Sequence, residues 1–224
     1  MVIYAPNSVF INPTQPKPSN SGDLVVVYGS MKSGKTGIVI KTAKLYRDDG
    51  HAVFVVKPTC DTRSPKNCIR DRDGNELQAY EIDPNRPLDL VDEVLPKLPY
   101  KPTWIFIDEA QFFSKEIYDA VLRLLLGGIN VFVAGLTNDF VGRPFGHLCL
   151  LFPLLGNNGS VVHLQAQCEY PKCTLKADFH QRTIGGVLSV PEDPVVVIDN
   201  DDTQIVYSPR CRDHFSFFCN PFTK

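Results

Sequence analysis

Apolar residues gather into five short, nearly uninterrupted runs, at 24–28, 52–56, 103–107, 130–134 and 161–164. Runs of this length, rich in Val, Ile and Phe, predict strands covered on both faces. Between them the apolar spacing becomes helical. It predicts a helix over 36–47 that stops before Asp49-Gly50, and a helix over 90–98 from Leu90, Val91, Val94, Leu95 and Leu98. It also predicts an amphipathic helix over 114–126, with Ser114 as cap and Gly127-Gly128 as stop, and an apolar helix-like segment over 147–155. The polar stretch 64–75 carries Asp73-Gly74 and reads as a turn between short extended pieces. Strands alternating with helices predict an α/β fold, a mostly parallel sheet flanked by helices.

The two ends depart from this rhythm. Residues 1–22 hold Pro6, Pro13, Pro16 and Pro18 among Asn and Ser, an irregular Pro-rich arm. Its Val2-Ile3-Tyr4 piece offers at most a short edge strand, and an unstructured leader is the simpler reading. From Gln165 the long apolar runs give way to cysteines and short β-type stretches at 187–190 and 194–198. The expected division is therefore an arm at 1–22, an α/β domain at 23–165 and a small β-rich domain at 166–224, too poor in apolar residues to fold alone.

Composition narrows the class without naming a function. The 224 residues are 43% hydrophobic with a net charge of -2, and no Lys/Arg cluster runs along the chain, which argues against a nucleic-acid polymer as partner. No apolar stretch approaches the length of a membrane span, and the N-terminus lacks a signal-peptide pattern, so the expected location is the cytoplasm, that of a host cell if the source is a phage or virus. The seven cysteines are then expected as thiols or metal ligands before disulfides.

The run at 24–28 feeds Gly29-Ser30-Met31-Lys32-Ser33-Gly34-Lys35-Thr36, a Gly-x4-Gly-Lys-Thr phosphate loop in its required strand-to-helix setting. Backbone N–H groups of the loop cradle the phosphates of a nucleotide, Lys35 reaches the β- and γ-phosphate oxygens, and the Thr36 hydroxyl is placed for Mg²⁺. The run at 103–107 ends in Asp108-Glu109-Ala110-Gln111, acids presented at the carboxyl end of a buried strand. Asp108 suits Mg²⁺, and Glu109 suits a general base toward a hydroxyl nucleophile. The same pair of motifs serves ATPases and nucleotide-binding regulatory proteins, so the acceptor stays open at this point. Cys168-x4-Cys173 and Cys211-x2-His214 form two ligand pairs of a structural zinc site, with Cys219 as an alternative ligand. His51, His147, His163 and His180 read as structural or surface histidines.

In order along the chain, the phosphate loop, Lys57-Pro58 with Asp61-Thr62-Arg63, Asp108-Glu109-Ala110-Gln111-Phe112-Phe113, Gly135-Leu136, Pro144-Phe145-Gly146 and the Cys/His pairs resemble the type II thymidine kinase family. That family includes the human cytosolic enzyme and bacterial, phage and poxvirus counterparts. The resemblance implies transfer of the γ-phosphoryl of ATP to the 5′-hydroxyl of thymidine, with deoxyuridine as a possible second acceptor. It implies Glu109 as general base, with Asp61 and Arg63 at the metal and phosphate. An independent reason supports Arg63, since a cation beside the transferred group stabilises developing charge. Gln111 joins Asp108 and the loop on the cofactor side. Met31, Phe112, Leu136, Phe140, Phe145, Phe179 and Tyr207 fall on positions that wall the nucleoside, which is closed by a zinc-binding lasso reading the base through its backbone. The resemblance further implies a homotetramer and feedback inhibition by deoxythymidine triphosphate. Here the chain has Cys-x4-Cys where the family usually has Cys-x2-Cys, and Ile198-Asp199-Asn200 where it usually has Ile-Gly-Gly.

Overall fold

The computed structural model describes residues 2–4, 21–195 and 204–217. In chain order its strands are β1 (Val2–Tyr4), β2 (Leu24–Gly29), β3 (Val53–Pro58), β4 (Cys68–Arg70), β5 (Glu76–Gln78), β6 (Tyr80–Ile82), β7 (Trp104–Ile107), β8 (Asn130–Gly135), β9 (Ser160–Leu164), β10 (Ala166–Gln167), β11 (Lys176–Ala177), β12 (Phe179–Ile184), β13 (Val187–Leu188) and β14 (Ile205–Arg210). The α-helices are α1 (Lys35–Asp48) and α2 (Ile117–Leu126). Among the described residues, seven strands form one sheet in the order β1-β9-β2-β8-β7-β3-β6, and every pairing in it is parallel.

Alternate residues of the central strands divide between two apolar layers, as the two-residue period of a strand requires. Val25, Val27, Phe106 and Phe132 pack with Val39, Ile40, Ala43 and Tyr46 of α1 on one face. Leu24, Val26, Ile105, Ile107, Val131 and Val133 pack with Ile117, Val121, Leu124 and Leu125 of α2 on the other. Both faces being covered is why these strands read as continuous apolar runs. No helix among the described residues is long and apolar enough to cross a membrane.

Several expected elements change form. The segment expected as a helix over 90–98 is a π-helical turn at Leu90–Val94 followed by a 3-10 turn at Leu95–Lys97, because Pro96 has no N–H with which to continue an α-helix. The apolar segment near 147–155 is a 3-10 helix at Leu148–Leu155 with Pro153 inside it. Helix α2 begins at Ile117, and Ser114 contributes its carbonyl, 3.1 Å from the Ile117 N–H, in place of a side-chain cap. Val2–Tyr4 forms the edge strand of the sheet beside β9, so this part of the arm is ordered by pairing. Residues 5–20 lie outside the described residues, as does Cys219. The Asp73-Gly74 turn is present, with Gly74 at φ +83° between the antiparallel β4 and β5. Of the run 194–198, Pro194 and Val195 form no strand, and the rest lies outside the described residues.

Beyond β9 the chain builds a small lobe from the pair β10-β11 and the antiparallel sheet β13-β12-β14. β12 and β14 are in register over six residue pairs, from Phe179↔Arg210 to Ile184↔Ile205. The lobe sits against the phosphate loop: the Ser30 hydroxyl donates to the Ala177 carbonyl at 3.1 Å, and Lys32 Nζ bonds both carboxylate oxygens of Glu169 at 2.8 and 3.0 Å.

Candidate active site

β2 ends at Gly29, where an added Cβ would lie 2.0 Å from the Leu164 carbonyl oxygen, so only glycine lets the loop leave the sheet beside β9. Gly34, at φ +88°, then turns the chain into α1. Lys35 is the first residue of that helix and is buried, its Nζ donating to the Gly29 and Ser30 carbonyls at 3.1 and 2.8 Å. Burial lowers its pKa to about 8, against the opposing pull of Glu109 and Asp108. The Thr36 hydroxyl donates to Asp108 Oδ2 at 2.9 Å. Asp108 Oδ1 is buried with no hydrogen-bond partner, and burial followed by the charge of Glu109 raises this carboxyl to about 7. A buried carboxylate oxygen left unpaired beside a hydroxyl is a hard-oxygen donor set that fits Mg²⁺.

Glu109 follows at φ +54°, a left-handed conformation that aims its carboxylate across the crevice. Arg63 bridges two acids, with Nε 2.8 Å from Asp61 Oδ1 and Nη2 2.6 Å from Glu109 Oε1. The other Glu109 oxygen accepts from Gln111 Nε2 at 2.5 Å, while Gln111 Oε1 accepts the Leu136 N–H at 2.9 Å. Burial pushes the Glu109 carboxyl up, but Arg63, Lys35 and these hydrogen bonds outweigh it and hold the group below its ordinary value. Lys57, wholly buried at the end of β3, donates to the Asp61 and Pro65 carbonyls, both at 3.1 Å, and so shapes the loop that carries Asp61 and Arg63.

Two cavities meet at these groups. One, of 500 Å³, is lined by Ser33, Gly34, Lys35, Thr36 and Asp108. The other, of 380 Å³, is walled by Met31, Phe112, Leu136, Phe140, Phe145 and Tyr207. Met31, Lys32, Asp61, Arg63, Arg72 and Glu109 line both. A polar, cation-bearing chamber thus opens onto an aromatic one, with a carboxylate and a guanidinium at the passage.

In the lobe, one ligand atom each from Cys168, Cys173, Cys211 and His214 lies within 4.8 Å of all the others. Cys173 and Cys211 sulfurs are 3.9 Å apart, and His214 Nδ1 is 3.8 Å from Cys168 and 3.2 Å from Cys211. Tetrahedral ligands at Zn–S bonds of about 2.3 Å lie about 3.8 Å from one another, so this cluster has the dimensions of a site that could hold zinc. Burial opposes ionisation of Cys168, yet bonds from the Cys211 and Tyr170 backbone and from His214 bring its thiol down to about 6, toward the thiolate a metal needs. The longer first knuckle closes through Lys172 at φ +63° and a bond from the Cys173 N–H to the Tyr170 carbonyl, and the Tyr170 ring stacks on His214 at 3.9 Å between centroids.

The profile of the family described as Thymidine kinase matches residues 22–215. A curated relative, the thymidine kinase of Mycoplasmoides gallisepticum (strain R(low / passage 15 / clone 2)), is 33% identical over 196 residues, 88% of this chain and 82% of that protein. The chain belongs to the thymidine kinase family. It is accordingly a kinase enzyme acting on thymidine, and the ATPase and regulatory alternatives are not favoured.

Most of the nucleotide- and nucleoside-site residues expected from the sequence line the two cavities; Gly29, Ser30, Gln111 and Phe179 do not sit where expected, Gly29 lining neither cavity. Phe179 does not line the aromatic cavity; its ring stacks on Phe215 at 4.8 Å and meets Phe217 edge-on at 5.1 Å. Gln111, expected on the cofactor side, lines the aromatic cavity and orients Glu109. Ser30 lines neither cavity and spends its hydroxyl on the lobe. Sequence reading also overlooked His180, Arg72 and Asp139 as cavity residues, and gave no role to Arg182, whose guanidinium lies 3.6 Å from the Phe140 ring centroid. The signal for His180 and Arg182 was their two-residue spacing on one strand, masked by the polar composition of β12.

Proposed function

We propose that the protein transfers the γ-phosphoryl group of ATP to the 5′-hydroxyl of thymidine to give thymidine monophosphate, with deoxyuridine as a weaker acceptor. The observation that carries this reading is the pair Glu109 and Arg63 at the junction of a phosphate-loop chamber and an aromatic chamber of nucleoside size. An ATPase needs the first chamber and a water; it has no use for the second.

In this reading Lys35 exchanges its two carbonyl partners for β- and γ-phosphate oxygens, aided by the loop N–H groups. Glu109 orients the 5′-hydroxyl and accepts its proton as the oxygen attacks phosphorus and the bond to the β-phosphate oxygen breaks. Arg63, held by Asp61, balances the charge spread over the transferring group. Thr36 and Asp108 would hold Mg²⁺, which neutralises phosphate charge when bound. Met31, Phe112, Leu136, Phe140, Phe145 and Tyr207 take the base and sugar by apolar burial and ring contact.

The division into an arm at 1–22, an α/β domain at 23–165 and a lasso domain at 166–224 belongs to the same reading, as do cytoplasmic location, a homotetramer and inhibition by deoxythymidine triphosphate. The direct test incubates the purified chain with Mg²⁺-ATP and each natural nucleoside separately. Thymidine monophosphate is the expected product; ATP hydrolysis with no nucleoside monophosphate would replace the kinase reading with an ATPase. We also place zinc in the Cys/His cluster. The parent should carry about one zinc per chain, and Cys173→Ser should lose most of it and lower the melting temperature. Equal zinc content in both proteins would reject Cys173 as a ligand.

A further inference from the structure

His180 is the buried polar side chain of the aromatic cavity that the phosphoryl-transfer chemistry leaves unused. It is 2% exposed and is the second residue of β12, opposite Pro209 of β14. Its Nδ1 is buried and has no hydrogen-bond partner among the described residues. Buried polar atoms are rarely left this way, and each one asks for a missing partner. Asp139 Oδ1 accepts the Val141 and Arg143 N–H groups at 3.0 and 2.9 Å; Arg182 donates from Nε to Ser189 Oγ at 2.9 Å and from Nη1 to the Pro194 carbonyl at 2.7 Å, while its Nη2, like His180 Nδ1, is buried without a hydrogen-bond partner among the described residues. The imidazole faces the cavity together with Tyr207, 6.0 Å away between ring centroids. Burial, with Lys35 nearby, lowers its pKa to about 3, so at neutral pH the ring is uncharged and carries one donor and one acceptor.

We propose that the His180 imidazole hydrogen-bonds the bound nucleoside and is a specificity-determining residue of the acceptor cavity. Its partner is a neutral polar group, either the base edge with its N–H and carbonyls or the sugar 3′-hydroxyl. This rests on the kinase reading but adds a side-chain contact to a base site otherwise expected to be read through backbone groups. A site with a polar group dedicated to its ligand discriminates sharply against ligands that leave that group unpaired.

The test uses the full chain with Mg²⁺-ATP, and parent turnover with thymidine is measured first, so that failure of the kinase reading is seen separately. His180→Leu should raise the thymidine KM about tenfold or more, leave the ATP KM within about twofold and not lower the melting temperature, because an apolar ring-sized group replaces an unpaired polar one. His180→Asn, which keeps a donor and an acceptor, should recover part of the loss. N3-methylthymidine and 3′-deoxythymidine then separate the two partners: the analogue whose KM is insensitive to His180→Leu lacks the group the imidazole contacts. Independently of any variant, adding thymidine to the ¹⁵N-histidine-labelled parent should move one imidazole nitrogen resonance. A thymidine KM unchanged in His180→Leu, equal changes in both KM values, or resonances that stay still would each overturn the proposal.

Discussion

Glu109→Gln is expected to lower kcat for thymidine phosphorylation by about 10²–10⁴-fold, the usual range for a general base, with ATP affinity nearly unchanged. The substitution keeps the size of the side chain and removes its charge and basicity. In the proposed mechanism the donor is held by Lys35, Thr36 and the loop backbone, groups that line the same cavity as Glu109 but are not themselves altered by the substitution. Measured by steady-state kinetics together with nucleotide binding, an unaltered kcat would remove Glu109 as the base. The amide also releases Arg63 from one of its two acids, so the kcat loss combines a missing base with a loosened guanidinium. Only the parallel substitution of the arginine separates the two.

Arg63→Ala should lower kcat by about 10²–10³-fold, the scale for removing one preorganised donor at a developing charge. Arg63→Lys should recover little of it. A guanidinium presents several N–H groups in one plane and spans Asp61 and Glu109 at once, at 2.8 and 2.6 Å, whereas a single ammonium on a flexible stem reproduces one contact at best. If Lys restored parental turnover, Arg63 would be acting as a point charge and the bridge would be incidental.

How much of this was legible in the sequence follows from where each element draws its stability. The runs at 24–28, 103–107 and 130–134 match β2, β7 and β8 to within a residue at either end, because strands buried on both faces can tolerate few polar residues. The phosphate loop and Asp108-Glu109 were visible because their chemistry demands particular residues at particular spacings. Segments 90–98 and 147–155 have helical apolar spacing, but Pro96 and Pro153 deny them the α-helical hydrogen bonds. β12 and β14 were hidden for a different reason. They are held by pairing along six residues and are only partly buried, so no apolar rhythm marks them. The orienting role of Gln111 depends on the Leu136 N–H, a partner distant in sequence, which no local pattern reports.

The links from Ser30 to Ala177 and from Lys32 to Glu169 join the nucleotide loop to the lobe built around the Cys/His cluster. With zinc bound in that cluster as proposed, the loop's conformation is partly on loan from a unit whose own persistence would depend on the metal. A newly made chain that has not acquired its ion would have a finished central sheet and an unfinished catalytic crevice. Metal supply would then set the fraction of competent molecules without changing how many are folded at their core, and chelation would silence turnover at temperatures where the sheet still resists melting.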